Sequence, residues 1–208
     1  MYKRQVVIEE SKNESDGEIY SFSNGLSSDN LEILEIPNFG SAMDRFNPDE
    51  AARVRWTFDG QEIFKSGVRA MAQASAEAIE KSGLSKEDVD IFIPHQANIR
   101  IVEALEKKLG LPNATTIKKV HRYGNTSAAS IPTAFVDALE EGEIKGGEIA
   151  VFTAVGAGLA WGACAVRLGD RVTPINKSDA KLPDFDGTAT DTIKRAIEYQ
   201  VPDKLDKI

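Results

Sequence analysis

Asp90-Ile91-Phe92-Ile93-Pro94-His95-Gln96-Ala97-Asn98-Ile99-Arg100-Ile101-Val102-Glu103-Ala104-Leu105-Glu106-Lys107-Lys108-Leu109-Gly110 changes its hydrophobic period half-way along. Asp90 to Pro94 is a short apolar run closed by a proline, which predicts a buried strand. From Asn98 onward Ile101, Val102, Leu105 and Leu109 recur at helical spacing, until Gly110 and Pro112 stop the pattern. A strand that passes straight into a helix is the repeating unit of an α/β sheet.

The flanking sequence continues the alternation. Gly60 to about Lys81 predicts a long helix, with Ile63, Phe64, Val68, Met71, Ala72, Ser75, Ala78 and Ile79 on one face and Ser82-Gly83 as its stop. Ser85-Lys86-Glu87-Asp88 has the form of a capping box and predicts one helical turn. Downstream, Ala114 to Val120 reads as a strand, and Thr126 to Leu139 as a helix closed by Gly142. Glu148 to Ala154 and Leu159 to Leu168 read as two strands joined by Gly156-Ala157-Gly158. Upstream, residues 17–24 predict a short strand leading to a loop at Asn24-Gly25. Residues 25–57 are polar and broken by Pro37, Gly40 and Pro48. The expected fold is therefore α/β, a mixed sheet with alternating strands and helices over residues 1–168. Residues 169–208 are expected to form a polar tail, partly ordered at best, with helical character only over Thr190–Tyr199. Val6-Val7-Ile8-Glu9-Glu10 resembles the end of a strand with no beginning. The chain is thus expected to start inside a larger protein, with residues 1–5 as a truncation scar.

Composition narrows the functional classes. At 208 residues with 41% hydrophobic content, the chain can fill one core. A net charge of -8 argues against non-specific nucleic-acid binding. No apolar run reaches membrane-spanning length and no secretory signal opens the chain, so the expectation is a soluble cytoplasmic protein with no membrane partner. One cysteine cannot make a disulfide framework or a cysteine-rich metal site, and two widely separated histidines do not suggest zinc; no metal is expected.

Two polar words stand at the ends of apolar segments. His95 follows a buried strand, where open α/β sheets bind ligands. A neutral imidazole there can donate to an oxyanion, although a satisfied structural histidine fits the same position. Asn125 follows Gly124 and opens a helix; it reads as a second donor or as an ordinary N-cap. Together they suit a thioester oxygen on which negative charge develops. Gly156-Ala157-Gly158 is either a plain turn or a loop whose N–H groups face a substrate. Arg100, Lys107 and Lys108 share a helix face, which is either simple solvation or, at this net charge, a docking face for an acidic partner.

Ile93-Pro94-His95-Gln96-Ala97-Asn98-Ile99-Arg100-Ile101, Arg122-Tyr123-Gly124-Asn125-Thr126-Ser127-Ala128-Ala129-Ser130-Ile131-Pro132 and Gly156-Ala157-Gly158-Leu159-Ala160-Trp161-Gly162 resemble, in order and spacing, the C-terminal half of 3-oxoacyl-[acyl-carrier-protein] synthase III. Asp59-Gly60-Gln61-Glu62-Ile63-Phe64-Lys65 resembles the start of a helix in the same family. The resemblance implies a thiolase-like fold of two α/β halves in five layers and a homodimer. It implies condensation of an acyl-CoA starter with malonyl-acyl carrier protein, with loss of carbon dioxide, in the initiation of fatty-acid synthesis. A cysteine at a helix N-terminus of the first half would carry the acyl group. His95 and Asn125 would be the catalytic donors of the second half, and Gly156, Ala157 and Gly158 the oxyanion loop. Gly60, Phe64, Asn98 and Arg100 would line the coenzyme A and pantetheine channel. Lys65, Arg100, Lys107 and Lys108 would dock the carrier protein. Coenzyme A thioesters and the carrier protein's phosphopantetheine enter as substrates, with no separate cofactor.

Three departures stand out against that pattern. Cys164 lies inside the last expected strand and matches no catalytic position. The glycine loop reads Val155-Gly156-Ala157-Gly158-Leu159-Ala160 in place of three glycines and a phenylalanine, and His121 stands where an acidic residue is common. Two other readings fit the same residues: a type III polyketide-like or secondary-metabolite condensing enzyme, and a non-catalytic partner subunit of a split heterodimeric synthase.

Overall fold

The computed structural model describes residues 10–13, 15–29, 31–36, 57–172 and 187–200. The strand end read at Val6-Val7-Ile8, the 37–56 part of the irregular stretch and residues 173–186 and 201–208 of the tail lie outside them. The chain divides into two compact units. The first holds residues 1–35 and 58–173, the second residues 36–57 and 174–208.

In the first unit a five-stranded mixed sheet is built from β1 (Glu18–Leu26), β4 (Ile91–Pro94), β5 (Thr115–Thr116), β6 (Ile149–Gly156) and β7 (Ala160–Arg167). Two short strands, β2 (Leu34–Glu35) and β3 (Thr57–Phe58), lie outside it. The order across the sheet is β1-β7-β6-β4-β5. β1, β7 and β6 are antiparallel neighbours, whereas β6, β4 and β5 run parallel. The parallel arrangement brings the C-terminal ends of β4 and β6 side by side, and Pro94 pairs with Thr153. β4 is buried over its whole length, as its continuous apolar sequence requires for a central strand covered on both faces.

The helix α1 (Gly60–Lys81) begins at Asp59, whose Oδ1 accepts from the N–H groups of Gln61 and Glu62. Its expected face is buried, with Phe64 half-buried. Small residues set how closely it lies on the sheet. Ala74 and Ala78 pack with Ala163 and Trp161, and Ser21 on β1 donates to the Ala78 carbonyl. α2 (Ile99–Leu109) packs beside it through Ile101, Leu105 and Leu109, in one core with Met71, Phe92 and Val151. On the opposite face, α4 (Ser130–Glu140) covers Ile91, Ile93 and Ala150 with Ala134 and Ala138. Ile19, Phe22 and Leu26 of β1 remain exposed.

Tertiary pairing overrides three of the expected boundaries. β1 does not turn at Asn24-Gly25 but continues to Leu26, because β7 pairs with it throughout. Gly25 is needed there for space. A Cβ at that position would lie 2.5 Å from the Trp161 ring, so the indole lies against bare backbone. The strand read over Ala114–Val120 shrinks to Thr115–Thr116, and Val120–Tyr123 coils into a helical turn, α3. The helix read from Thr126 begins as a 3-10 turn, Ser127–Ala129, and becomes α-helical only at Ser130.

Order also runs past the expected boundary at residue 168. Leu168 donates to the Glu148 carbonyl, and the Asp170 N–H donates to Ser15. In the second unit α5 (Ala189–Gln200) coincides with the one helical segment expected of the tail. It starts on a reciprocal cap, with Thr188 N–H donating to Asp191 Oδ2 and Asp191 N–H donating to Thr188 Oγ1. Among the described residues no helix is long and apolar enough to cross a membrane.

Candidate active site

The site lies where β4 and β6 end. His95 is the first residue beyond β4, and its N–H continues the ladder by donating to the Thr153 carbonyl at 2.7 Å. Its ring stands half-buried. Burial holds the imidazole pKa below the usual histidine value, so the neutral form is favoured. Nδ1 lies 2.6 Å from Ser130 Oγ. The histidine is thus tied to β6 by its backbone and to the first turn of α4 by its side chain.

Gln96, only 2% exposed, determines the path of the chain opposite. Its Nε2 donates to the carbonyls of Pro94 and Ile117, and its Oε1 accepts from the Lys119 N–H. These bonds replace the ladder that β5 would otherwise have continued, which is why that strand is short. Lys119 is itself buried, and its Nζ reaches Glu141 at 2.5 Å and Glu143 at 3.0 Å. Burial opposes its charge, but the two carboxylates outweigh it and raise the ammonium pKa. Next, Asp137 accepts from Arg122 at 3.1 Å and from the Tyr123 hydroxyl at 2.8 Å. α3 is thereby held on both sides, and the chain leaves it through Gly124 into Asn125.

Asn125 is exposed and does not cap α4. Its Oδ1 accepts from the Ser127 N–H at 2.8 Å. That bond fixes which end of the amide faces outward, and among the described residues its Nδ2 donor has no partner. Five residues on, Ser130 meets His95. The loop Gly156-Ala157-Gly158 closes the β6–β7 hairpin beside these elements, with Gly156 and Ala157 exposed. Gly158 has φ 141°, and a Cβ there would lie 2.8 Å from the Ala160 nitrogen, so no side chain fits. The loop shows its backbone to solvent at the end of the strands.

The family described as 3-Oxoacyl-[acyl-carrier-protein (ACP)] synthase III C terminal matches residues 79–168, which contain all of these groups. Over those residues this chain carries the C-terminal domain of the 3-oxoacyl-[acyl-carrier-protein] synthase III family. It is 48% identical over 177 residues to the beta-ketoacyl-[acyl-carrier-protein] synthase III 2 of Vibrio cholerae, an alignment that takes in 84% of this chain and 48% of that protein. The synthase III crystal structure from Aquifex aeolicus VF5 matches with a TM-score of 0.63 and 35% identity, covering 76% of this chain and 46% of that one. The priming beta-ketosynthase of the R1128 polyketide pathway matches with a TM-score of 0.67 and 30% identity, over 74% and 46%. The chain therefore spans about half the length of the curated relatives it matches. The mixed α/β layer agrees with this thiolase-like architecture, of which it is one part.

Other residues singled out in the sequence lie on α1, α2, α3 and β7. Gly60 and Phe64 open α1, while Asn98 and Arg100 open α2. Asn98 already works as an N-cap, its Oδ1 accepting from the Ile101 N–H at 3.0 Å. Lys65 pairs loosely with Glu62 at 3.9 Å. Arg100, Lys107 and Lys108 are exposed, and among the described residues none of the three forms a salt bridge. Cys164 stands mid-strand in β7, half-buried, its thiol pKa pushed up by that burial and lowered less by a hydrogen bond with the Phe152 backbone. His121 is exposed on α3. Among the described residues no cluster of His, Cys, Asp or Glu is placed to hold a metal ion.

Sequence reasoning did not single out Gln96, Ser130 or Asp137. Ser130 and Asp137 are polar residues at positions that helical periodicity assigns to the interior, and that mismatch was the signal available, whereas Gln96 lies between β4 and α2, where no periodicity marks it.

The lowered His95 pKa has a consequence for stability. The unfolded chain binds the proton at about pH 6.5, before the folded one does. The stability associated with neutral His95 is complete above that pH and is lost as pH falls towards the lower folded-state pKa. Urea midpoints taken between pH 7.5 and 5.5 should fall for the wild type and fall less for His95→Gln.

Proposed function

We propose that this chain supplies the decarboxylating half of the active site of a β-ketoacyl synthase III, with His95 and Asn125 donating to the thioester oxygen of malonyl-acyl carrier protein. Loss of carbon dioxide leaves an enolate whose oxygen carries the new negative charge, and preorganised neutral donors lower that barrier. The arrangement of Asn125 carries this reading most directly. Its Oδ1 is held by Ser127, so the amide can only donate towards an incoming group. His95 favours the neutral form, which keeps it a donor and not a cation attracting the departing carboxylate. The Ala157 N–H in the glycine loop serves the oxyanion of the acyl-transfer step.

The acyl group is carried by a cysteine outside these 208 residues, because Cys164 is mid-strand with its thiolate disfavoured. Gly60, Phe64, Asn98 and Arg100 line the approach for the pantetheine arm of acyl-CoA and of the carrier protein, which are substrates and not resident cofactors. The complete enzyme is a cytoplasmic homodimer that begins fatty-acid chains. The likeness to a priming β-ketosynthase of a polyketide pathway supports the second reading, in which the same chemistry starts a secondary metabolite.

The test is carbon–carbon bond formation. The purified chain given acetyl-CoA and malonyl-acyl carrier protein should form no product. It should do so once the half carrying the nucleophilic cysteine is supplied. Product from the chain alone, blocked by alkylation of Cys164, would overturn the half-site assignment.

Arg100, Lys107 and Lys108 provide the carrier-protein docking face in this reading, with Lys65 beside them. Reversing the Lys107 and Lys108 charges should raise KM for malonyl-acyl carrier protein several-fold, leave KM for free acyl-CoA nearly unchanged, and flatten the salt dependence of the carrier reaction. Unaltered carrier kinetics would return this face to plain solvation.

A further inference from the structure

We infer that Ser130 is a positioning residue that holds His95 in the tautomer carrying its proton on Nε2, and so aims a donor at the substrate oxygen. The inference rests on reading His95 as an oxyanion donor, but its argument is a count of protons.

Ser130 is 3% exposed, and its Oγ touches two groups, the Gln96 N–H at 3.3 Å and His95 Nδ1 at 2.6 Å. The amide N–H can only donate, so it occupies a lone pair of the hydroxyl. The hydroxyl's one proton then needs an acceptor, and among the described residues the only one placed there is His95 Nδ1. With Nδ1 accepting, a neutral ring must carry its proton on Nε2. The opposite tautomer would give Ser130 two donors and leave its own proton unpaired in a closed site, a state that buried hydroxyls avoid. A serine 2.6 Å from a histidine could also be read as a nucleophile with its base. The burial of Ser130 excludes that use, because an attacking oxygen must reach the substrate. Gln96 completes the arrangement. Its backbone N–H orients the serine, while its side chain ties down the carbonyls of Pro94 and Ile117.

The experiment is long-range ¹H–¹⁵N correlation of the imidazole rings in the full chain at pH 8, with exposed His121 as an internal reference. His95 should show a single tautomer, with a pyrrole-type Nε2 and a pyridine-type Nδ1 shifted to the hydrogen-bonded side of the corresponding His121 nitrogen. Ser130→Ala should abolish that shift and move His95 towards an exchanging mixture, and Ser130→Thr should restore the single form. A protonated Nδ1 in the wild type, an Nδ1 shift coinciding with that of His121, or identical His95 spectra in wild type and Ser130→Ala would each overturn the inference. The wild-type comparison stands even if the alanine variant fails to fold. No substrate is present, so an inactive enzyme with a locked Nε2–H tautomer would refute the proposed function and leave this inference standing.

Discussion

His95→Ala in the complete enzyme should slow the loss of carbon dioxide from malonyl-acyl carrier protein by about 100- to 1,000-fold, and Asn125→Ala should have a comparable effect. The magnitude is that of one oxyanion donor removed from a preorganised site. Acyl transfer from acyl-CoA to the cysteine should suffer much less, because neither side chain is needed to form a thiolate. The two half-reactions are separated by following release of labelled carbon dioxide in one assay and acylation of the enzyme in the other. Asn125→Asp is the sharper variant. It keeps the oxygen that accepts from Ser127 but replaces the donor with a second acceptor, so decarboxylation should fall as far as with alanine. Equal losses in both half-reactions would mean that these residues only support the fold.

Gln96→Leu should be the most destabilising single change near the site. The substitution preserves approximate volume but leaves the Pro94 and Ile117 carbonyls and the Lys119 N–H without their partner in a closed interior. Each unpaired buried group costs on the order of 1–3 kcal/mol, and because neighbouring losses share relaxation we expect about 3 kcal/mol in total. For a unit of this size that lowers Tm by roughly 6–12 °C. Thermal melting by circular dichroism measures it directly. Gln96→Glu distinguishes packing from hydrogen bonding, since a carboxylate keeps the acceptor for Lys119 and loses both donors. A Gln96→Leu protein melting within about 2 °C of the wild type would show that water replaces the amide and that the path into α3 is held elsewhere.

The alternating strands and helices were legible because burial dictates them locally. The period of apolar residues along α1 and α2, and the unbroken run Ile91–Pro94, are consequences of facing one core. The capping box at Ser85 and the stop at Gly110 were legible for the same reason, since each satisfies backbone groups within a few residues of itself. His95 and Asn125 could be singled out as donors at the ends of apolar segments, and the resemblance joined them to one chemistry. What no local pattern contains is the partner far along the chain. β1 runs through Asn24-Gly25 because β7 offers a strand to pair with, and the preference of that dipeptide for a turn is weaker than a continuous ladder. The strand expected over Ala114–Val120 stops after Thr116 because a glutamine more than twenty residues earlier takes over its hydrogen bonds. Ser130 looked like one small residue in a helix start until the sheet placed His95 against it. Sequence alone therefore determined which segments are buried and where the donors stand along the chain. Only the tertiary structure decided which polar groups satisfy one another, because that depends on contacts between residues far apart in sequence.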